Sequence, residues 1–534
     1  MKKLKYSEKR KRLLEKKKNK KAQKGIPVKG PSDVEVNHLL QYAQTGRHEE
    51  AKVLALAITE RFPRHPFGWE VLGFLFAKEG EKTHALNACQ KAMELAPQDA
   101  NAHCNLGLAY QKVGRLEKAE SSYRQAIKLQ RDYVEAHYNL ANSLRELGKL
   151  EEAEASYRQA LALKPDYAEA HNKLGLTLQK QERFEEAEAN YRQATVLKSD
   201  SSQPHCNLGN TLIQLGRFEE AEASLRQAIL LKSDFTEAHS SLGIALKQQG
   251  RLNEAEVSLR LAIEADPEYA EAHNTLGIVL QELGRFEEAE DSYRQAIALK
   301  PEYSSAKHML AALTGETTKN APREYVERLF DNYADKFESA LVDHLEYKTP
   351  RLITEMILKD SKSDLLGSIM DLGCGTGLFG AEIKQFCEQL EGIDLSERML
   401  DQAKAKNVYD KLIKEDIVDF LSNASLNFDY FISTDVFVYV GDLSDIFRLI
   451  KSRNKTGGKL AFSTEDYEGQ GFFLEQSGRY SHSKQYIESL CQTFGYKLQH
   501  FETATLRKDK NQFIVGALYL LDFRKRIRVT IEST

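Results

Sequence analysis

The chain is 534 residues long, past the roughly 250–300 residues at which one hydrophobic core stops growing, so at least two domains are expected. With 41% hydrophobic and 29% charged residues it is globular in composition, and a formal charge of −4 excludes a general attraction to nucleic acid or acidic lipid. The six cysteines are scattered, with no CxxC pair and no His/Cys cluster at zinc spacing, which excludes a disulfide framework and a metal site and fits a reducing compartment. No long apolar run occurs and none follows the basic first residues, so no membrane span or secretion signal is expected and the location expected is cytoplasmic.

Residues 1–31 are dominated by lysine and arginine, including Lys16, Lys17, Lys18, Lys20 and Lys21, and hold too little apolar material to fold alone. The plain reading is a disordered basic tail; contact with RNA or a membrane surface is the alternative, and nucleic acid is not otherwise favoured. Residues 32–313 read as one solenoid: from about 32 to 303 the sequence repeats every 34 residues, the period of a helix-turn-helix solenoid. Leu72-Gly73, Leu106-Gly107, Leu140-Ala141, Leu174-Gly175, Leu208-Gly209, Leu242-Gly243 and Leu276-Gly277 stand one period apart. Alanine series run in register with them, Ala85 to Ala289 and Ala92 to Ala296, where small side chains let helices approach closely. This pattern resembles the tetratricopeptide repeat and implies about eight units and a capping helix (302–313), stacked as an all-α superhelix with a concave groove.

His103, His137, His171, His205, His239 and His273 recur at one repeat position. Equivalent residues of stacked helices lie about 10 Å apart, too far to share an ion at bonds of about 2 Å, so they are expected to pack the first helix of each unit. Asn105, Asn139 and Asn207, with Asn142 and Asn210 a turn further on, resemble the asparagine ladder in the repeats of protein O-linked N-acetylglucosamine transferases. An amide donates and accepts at once, which suits binding a peptide backbone. The ladder is broken by Lys173, Ser241 and Thr275, and simple surface polarity is the other reading.

Residues 314–320 read as a linker and 321–525 as a second domain, where strands alternate with helices as in a parallel α/β sheet. The first strand ends at Asp371 and runs into Gly373-Cys374-Gly375-Thr376-Gly377, a turn whose missing β-carbons admit a flat polar ligand. Its last two glycines are one residue apart, not two as in dinucleotide-binding loops. The second strand ends at Asp394, followed by Leu395 and Met399; the third leads into Asp416-Ile417; the fourth ends at Ser433-Thr434-Asp435. Three acids at three successive strand ends resemble class I S-adenosylmethionine-dependent methyltransferases. The resemblance implies a seven-stranded Rossmann-like sheet with an antiparallel seventh strand. It implies S-adenosylmethionine held by Asp371, Gly373, Cys374, Gly375, Gly377 and Thr434, with Asp394 and Leu395 at the ribose and Met399, Asp416 and Ile417 at the adenine.

Segments around Tyr333, Tyr439 and Tyr480 extend the likeness to a bacterial group of predicted repeat-plus-methyltransferase proteins. His482 is the first candidate for a general base, followed by Tyr439 and Asp435; a helix-capping role for His482 is the alternative. Tyr333 and Phe337 are expected on a lid helix, and Arg479 and Tyr480 are expected to address the methyl acceptor. No NPPY-type motif follows the fourth strand, which disfavours methylation of nucleic-acid bases. The expected function is methyl transfer with the repeats recruiting a protein partner or substrate. A small-molecule methyltransferase whose repeats only assemble a complex, and a non-catalytic scaffold, are the alternatives; the acceptor itself is not readable.

Overall fold

A computed structural model describes residues 30–338, 347–361, 363, 365–509 and 512–523. The basic tail up to residue 29 and the side chains of Tyr333 and Phe337 lie outside the described residues. Contacts divide the chain into two compact units, 1–215 and 216–534. No helix among the described residues is long and apolar enough to cross a membrane.

The first unit is a run of antiparallel helix pairs, from Asp33–Gln44 with His48–Arg61 to Ala168–Lys180 with Phe184–Leu197, ending in Ser202–Gln214. Ser32 and Glu35 form a capping box at its start, satisfying amides the first turn cannot pair internally. The Leu-Gly signature marks the closest approach within a pair: a β-carbon on Gly107 would sit 2.6 Å from the Tyr123 ring. That ring is fully buried, and its hydroxyl reaches Gln111 at 3.2 Å. The recurring histidines lie on the first helices, and those at 103, 137 and 171 are half-buried. Nε2 of His103, His137 and His171 meets the carbonyl oxygens of Pro97, Arg131 and Pro165 at 2.9–3.0 Å, closing the turn before each helix.

The second unit opens with the same repeat architecture: Phe218–Leu231, the pairs Thr236–Gln248 with Leu252–Ala265 and Ala270–Glu282 with Phe286–Leu299, and the capping helix Ser304–Thr314. The helices Arg323–Glu338 and Thr349–Asp360 precede a mixed sheet. Its strands are β1 (Ser368–Leu372), β2 (Gln389–Asp394), β3 (Lys411–Lys414), β4 (Tyr430–Ser433), β5 (Gly458–Asp466), β6 (Phe472–Leu474), β7 (Tyr480–His482), β8 (Lys497–Asp509) and β9 (Gln512–Phe523). Strands β3-β2-β1-β4-β5 are parallel; β9 joins β5 antiparallel, and β8 joins β9. This is the expected seven-strand plan with its antiparallel closing strand. The β6–β7 hairpin is additional: it pairs with β5 at Glu465 and Asp466, where that strand runs past the end of β4. Both faces of the sheet are covered by apolar cores, one around Phe431, Phe447 and Phe462 and the other around Ile369, Ile432 and Leu518, as parallel strands require. Everything polar of interest therefore gathers at the carboxyl ends of the strands.

Candidate active site

At the end of β1, Asp371 is fully buried. Its Oδ2 accepts a 2.7 Å hydrogen bond from the Tyr409 hydroxyl, while Oδ1 has no partner among the described residues. Burial, with the nearby Asp394 charge, pushes its carboxyl up to about 7 against the opposing pull of Tyr409. The turn that follows has left-handed backbone at Gly373, Gly375 and Gly377 (φ +79°, +53° and +85°), and a β-carbon on Gly373 would meet Val436 at 2.4 Å. Glycine is needed there on both counts. Cys374, between them, is buried, and burial holds its thiol well above the ordinary range.

Asp394 ends β2 and grips that turn, accepting from Gly375 N–H at 2.8 Å and from Ser396 N–H at 2.9 Å. Burial raises its carboxyl and these amides oppose the rise. Leu395 is half-buried and Met399 fully buried. Ser396 caps the next helix by accepting from Met399 N–H, and its hydroxyl donates to Asp331 at 2.5 Å. Asp416 caps the helix Ile417–Asn423 through Oδ1, which also pairs with Arg323 at 2.9 Å. Arg323, Glu327 and Asp331 thus attach one helix, Arg323–Glu338, to the ends of β2 and β3 through Asp416, Lys414 and Ser396. Tyr333 and Phe337 lie on this helix.

Beyond β4, Thr434 is half-buried, and Asp435 has φ +55°, a conformation non-glycine residues rarely take. Ser463 holds it from both sides, accepting from its N–H at 2.8 Å and donating to Oδ1 at 2.9 Å. Oδ2 accepts from buried Arg507 at 2.9 Å, and Arg507 also pairs with Glu465, which Arg479 approaches at 3.6 Å. Tyr439 is half-buried and meets Phe330 edge to face at 5.2 Å. Arg479, Glu465, Arg507 and Asp435 therefore form one linked polar cluster at the ends of β4, β5 and β8.

His482 lies apart from that cluster's hydrogen bonds. It is fully buried, its Nε2 donates to the carbonyls of Val440 and Gly441 at 3.0 Å, and burial pushes its imidazole down to about 4. Ser483, not His482, caps the helix Lys484–Phe494. Tyr480 is fully buried with its hydroxyl 2.6 Å from Thr318 Oγ1. Among the asparagines, Asn142 accepts from Tyr157 at 2.6 Å and Asn207 donates to Asn172 at 2.9 Å, Asn210 is half-buried, and Asn105 and Asn139 are half-buried with no hydrogen bond to a described side chain. Two residues escaped the sequence reading. Arg507 stands in a charged stretch that reads as a connector, and Tyr409 belongs to no motif; only the glycines it packs against hinted at a bulky neighbour.

A methyltransferase-domain model matches residues 364–517. Tetratricopeptide-repeat models match 73–114, 141–182 and 209–250, with further matches at 100–133 and 234–302. A malonyl-acyl-carrier-protein O-methyltransferase of Ilyobacter polytropus is 30% identical over 144 residues, 26% of this chain and 48% of that protein. An uncharacterized methyltransferase of Schizosaccharomyces pombe is 25% identical over 146 residues, 23% of this chain and 51% of that protein. The chain thus spans about half the length of these relatives. Among solved structures, YrrB, a repeat protein with an unusual peptide-binding site, is 27% identical, covering 35% of this chain and 97% of its own with a TM-score of 0.32.

Proposed function

We propose that this chain, in which tetratricopeptide repeats are fused to a methyltransferase domain, transfers a methyl group from S-adenosylmethionine to an acceptor brought by a protein partner of the repeats. The observation that carries the reading is the set of acids at the ends of β1, β2 and β3 around a left-handed glycine turn, with the buried Asp371 Oδ1 left unpartnered. Those residues fit the cofactor: Asp394 for the ribose hydroxyls, Met399, Asp416 and Ile417 for the adenine, and Asp371 with the bare turn for the amino-acid end. When bound, the cofactor supplies an electrophilic methyl group on a sulfonium. The protein then has chiefly to hold the acceptor in line and exclude water.

The helix Arg323–Glu338 suits the second task, since Arg323 and Asp331 fasten it over the nucleoside acids. Acceptor positioning falls to Arg479 and Tyr439 beside the Asp435–Arg507 cluster. Asp435 already accepts from Ser463 and Arg507, and the His482 ring is fully buried, its Nε2 proton donated to backbone and its Nδ1 enclosed within the protein, so neither is assigned proton abstraction. Asn105 and Asn139 are the ladder amides best placed to meet a peptide. A small acyl acceptor carried on a protein is the second reading, favoured by the likeness to the malonyl-acyl-carrier-protein O-methyltransferase of Ilyobacter.

Calorimetric titration of S-adenosylmethionine into the full chain and into Asp394→Ala tests the cofactor reading. Binding by the wild type and its loss in the variant are expected; a folded wild type that binds neither cofactor nor S-adenosylhomocysteine ends it.

A further inference from the structure

Tyr409 lies in the short loop between the helix Glu397–Lys406 and β3, and the chain takes unusual care in placing it. Asn407 closes the helix in the left-handed conformation (φ +54°). Asp410 then clamps the loop to the start of β2: its N–H donates to the Leu390 carbonyl at 2.8 Å, and its carboxylate accepts from Leu390 N–H and Lys384, both at 2.7 Å. Between these fixed ends the tyrosine ring enters a slot in which three side chains are missing. A β-carbon would lie 2.5 Å from the ring at Gly380, 2.9 Å at Gly392 and 3.1 Å at Gly377. Gly392 is the register partner of Asp371 across β1 and β2, and at the end of the slot the hydroxyl donates to Asp371 Oδ2.

We propose that Tyr409 is a positioning residue of the cofactor site, its hydroxyl fixing the Asp371 carboxylate beneath the glycine turn so that Oδ1 is presented to the cationic end of the cofactor. This rests on the cofactor reading above. The glycines of the turn and of β2 then serve two purposes, leaving room for a ligand on one side and for this ring on the other. Ring and carboxylate act as a pair. The titratable groups facing Asp371 are Tyr409 from the loop, Asp394 from the end of β2 and Cys374 from the turn. Tyr409 alone opposes the rise that burial and Asp394 impose on the Asp371 carboxyl, so its hydroxyl sets how readily that group is charged at neutral pH.

The test follows the protonated Asp371 carbonyl band by infrared titration of the cofactor-free chain, the band being identified by its loss in Asp371→Asn. In Tyr409→Phe its midpoint is expected to rise by about one pH unit, the size of a lost hydrogen bond to a charged group. Fluorotyrosine installed at position 409, a stronger donor with the same shape, is expected to lower it, and keeps the question open to test if the phenylalanine variant does not fold. An unmoved midpoint overturns the proposal, because mere ring packing would leave it in place. Calorimetry supplies the second arm. Tyr409→Phe is expected to bind S-adenosylmethionine about fivefold more weakly at pH 7, the ratio of charged fractions for a midpoint raised by about one unit, with the difference narrowing as pH rises; equal affinity at pH 7 overturns the proposal. A wild type that binds no cofactor would end the cofactor reading and the presentation of Oδ1 with it, and the infrared midpoint separates that outcome from a failure of the Tyr409 contact.

Discussion

His308, on the capping helix of the repeats, donates through Nε2 to the carbonyl of Gly478, 2.9 Å away in the turn of the β6–β7 hairpin. The imidazole is buried, with Tyr325 at 4.9 Å and Tyr480 at 6.1 Å between ring centroids. Gln281 reinforces the contact by donating to the Gln476 carbonyl at 2.6 Å. The last repeats are therefore joined to the hairpin whose Arg479 reaches Glu465.

Gly478 has φ +79°, and a β-carbon there would stand 3.0 Å from the Tyr325 hydroxyl and 3.1 Å from the Met309 sulfur. Gly478→Ala is expected to cost about 1–3 kcal/mol through the left-handed backbone and the crowding together. His308→Ala, which leaves a buried carbonyl unpaired, is expected to cost a similar amount. Urea denaturation of both variants checks this; stability within error of the wild type would show that the capping helix and the hairpin are only loosely associated.

The exposed turn residue Glu182 stands where other units place Gly114, Gly148, Gly216 and Gly250, and it shares their positive φ, at +59°. A β-carbon is strained in that conformation and glycine is not. Glu182→Gly is therefore expected to stabilise the repeats by about 1 kcal/mol, since the gain in the folded state exceeds the added freedom of the unfolded chain. Differential scanning calorimetry reads it as a higher midpoint, and a lower one would contradict the assignment.

Acid stability should carry the signature of His482. Its folded-state value lies near 4, below the 6.5 of a free imidazole, because burial disfavours the charged form. Between those values the unfolded chain takes up a proton that the folded chain refuses, so stability falls as pH drops from about 6.5 toward about 4. The full effect is about 3 kcal/mol. His205 and His308 are lowered by burial as well and add to the same trend. His482→Gln, able to donate to the same carbonyls, is expected to flatten the profile of chemical denaturation against pH; an unchanged slope would place the acid sensitivity elsewhere.

The repeats were legible because a 34-residue period carries Leu-Gly and alanine positions in fixed register over seven units, and the acids ending β1, β2 and β3 because each follows a short apolar run. Legibility failed where local pattern and tertiary role part company. Strands β6 and β7 are three residues each and too short to alternate. The second half of β8 looks like a charged connector, yet it continues the ladder to Asp509 through irregularities near Leu498 and Thr505. His482 has the composition of a catalytic base, and only its burial against two carbonyls shows how its nitrogen is used.

Arg507 is the residue on which that polar cluster turns. It is 5% exposed and lies between Asp435 and Glu465, two carboxylates that are each nearly buried. Removing it leaves both without their shared counter-charge, at a cost of about 3–5 kcal/mol for a broken buried pair. Arg507→Met is therefore expected to lose about that much stability, whereas Arg507→Lys retains the charge but not the two-pronged geometry and should fall between the wild type and Arg507→Met. The discriminating experiment adds Asp435→Asn and Glu465→Gln to Arg507→Met. If the loss comes from unpaired charge, the triple variant regains a large part of it in urea denaturation. If the triple variant is no better than Arg507→Met, the arginine acts by filling space between β5 and β8, and the strained backbone of Asp435 is held by Ser463 and Thr349 instead.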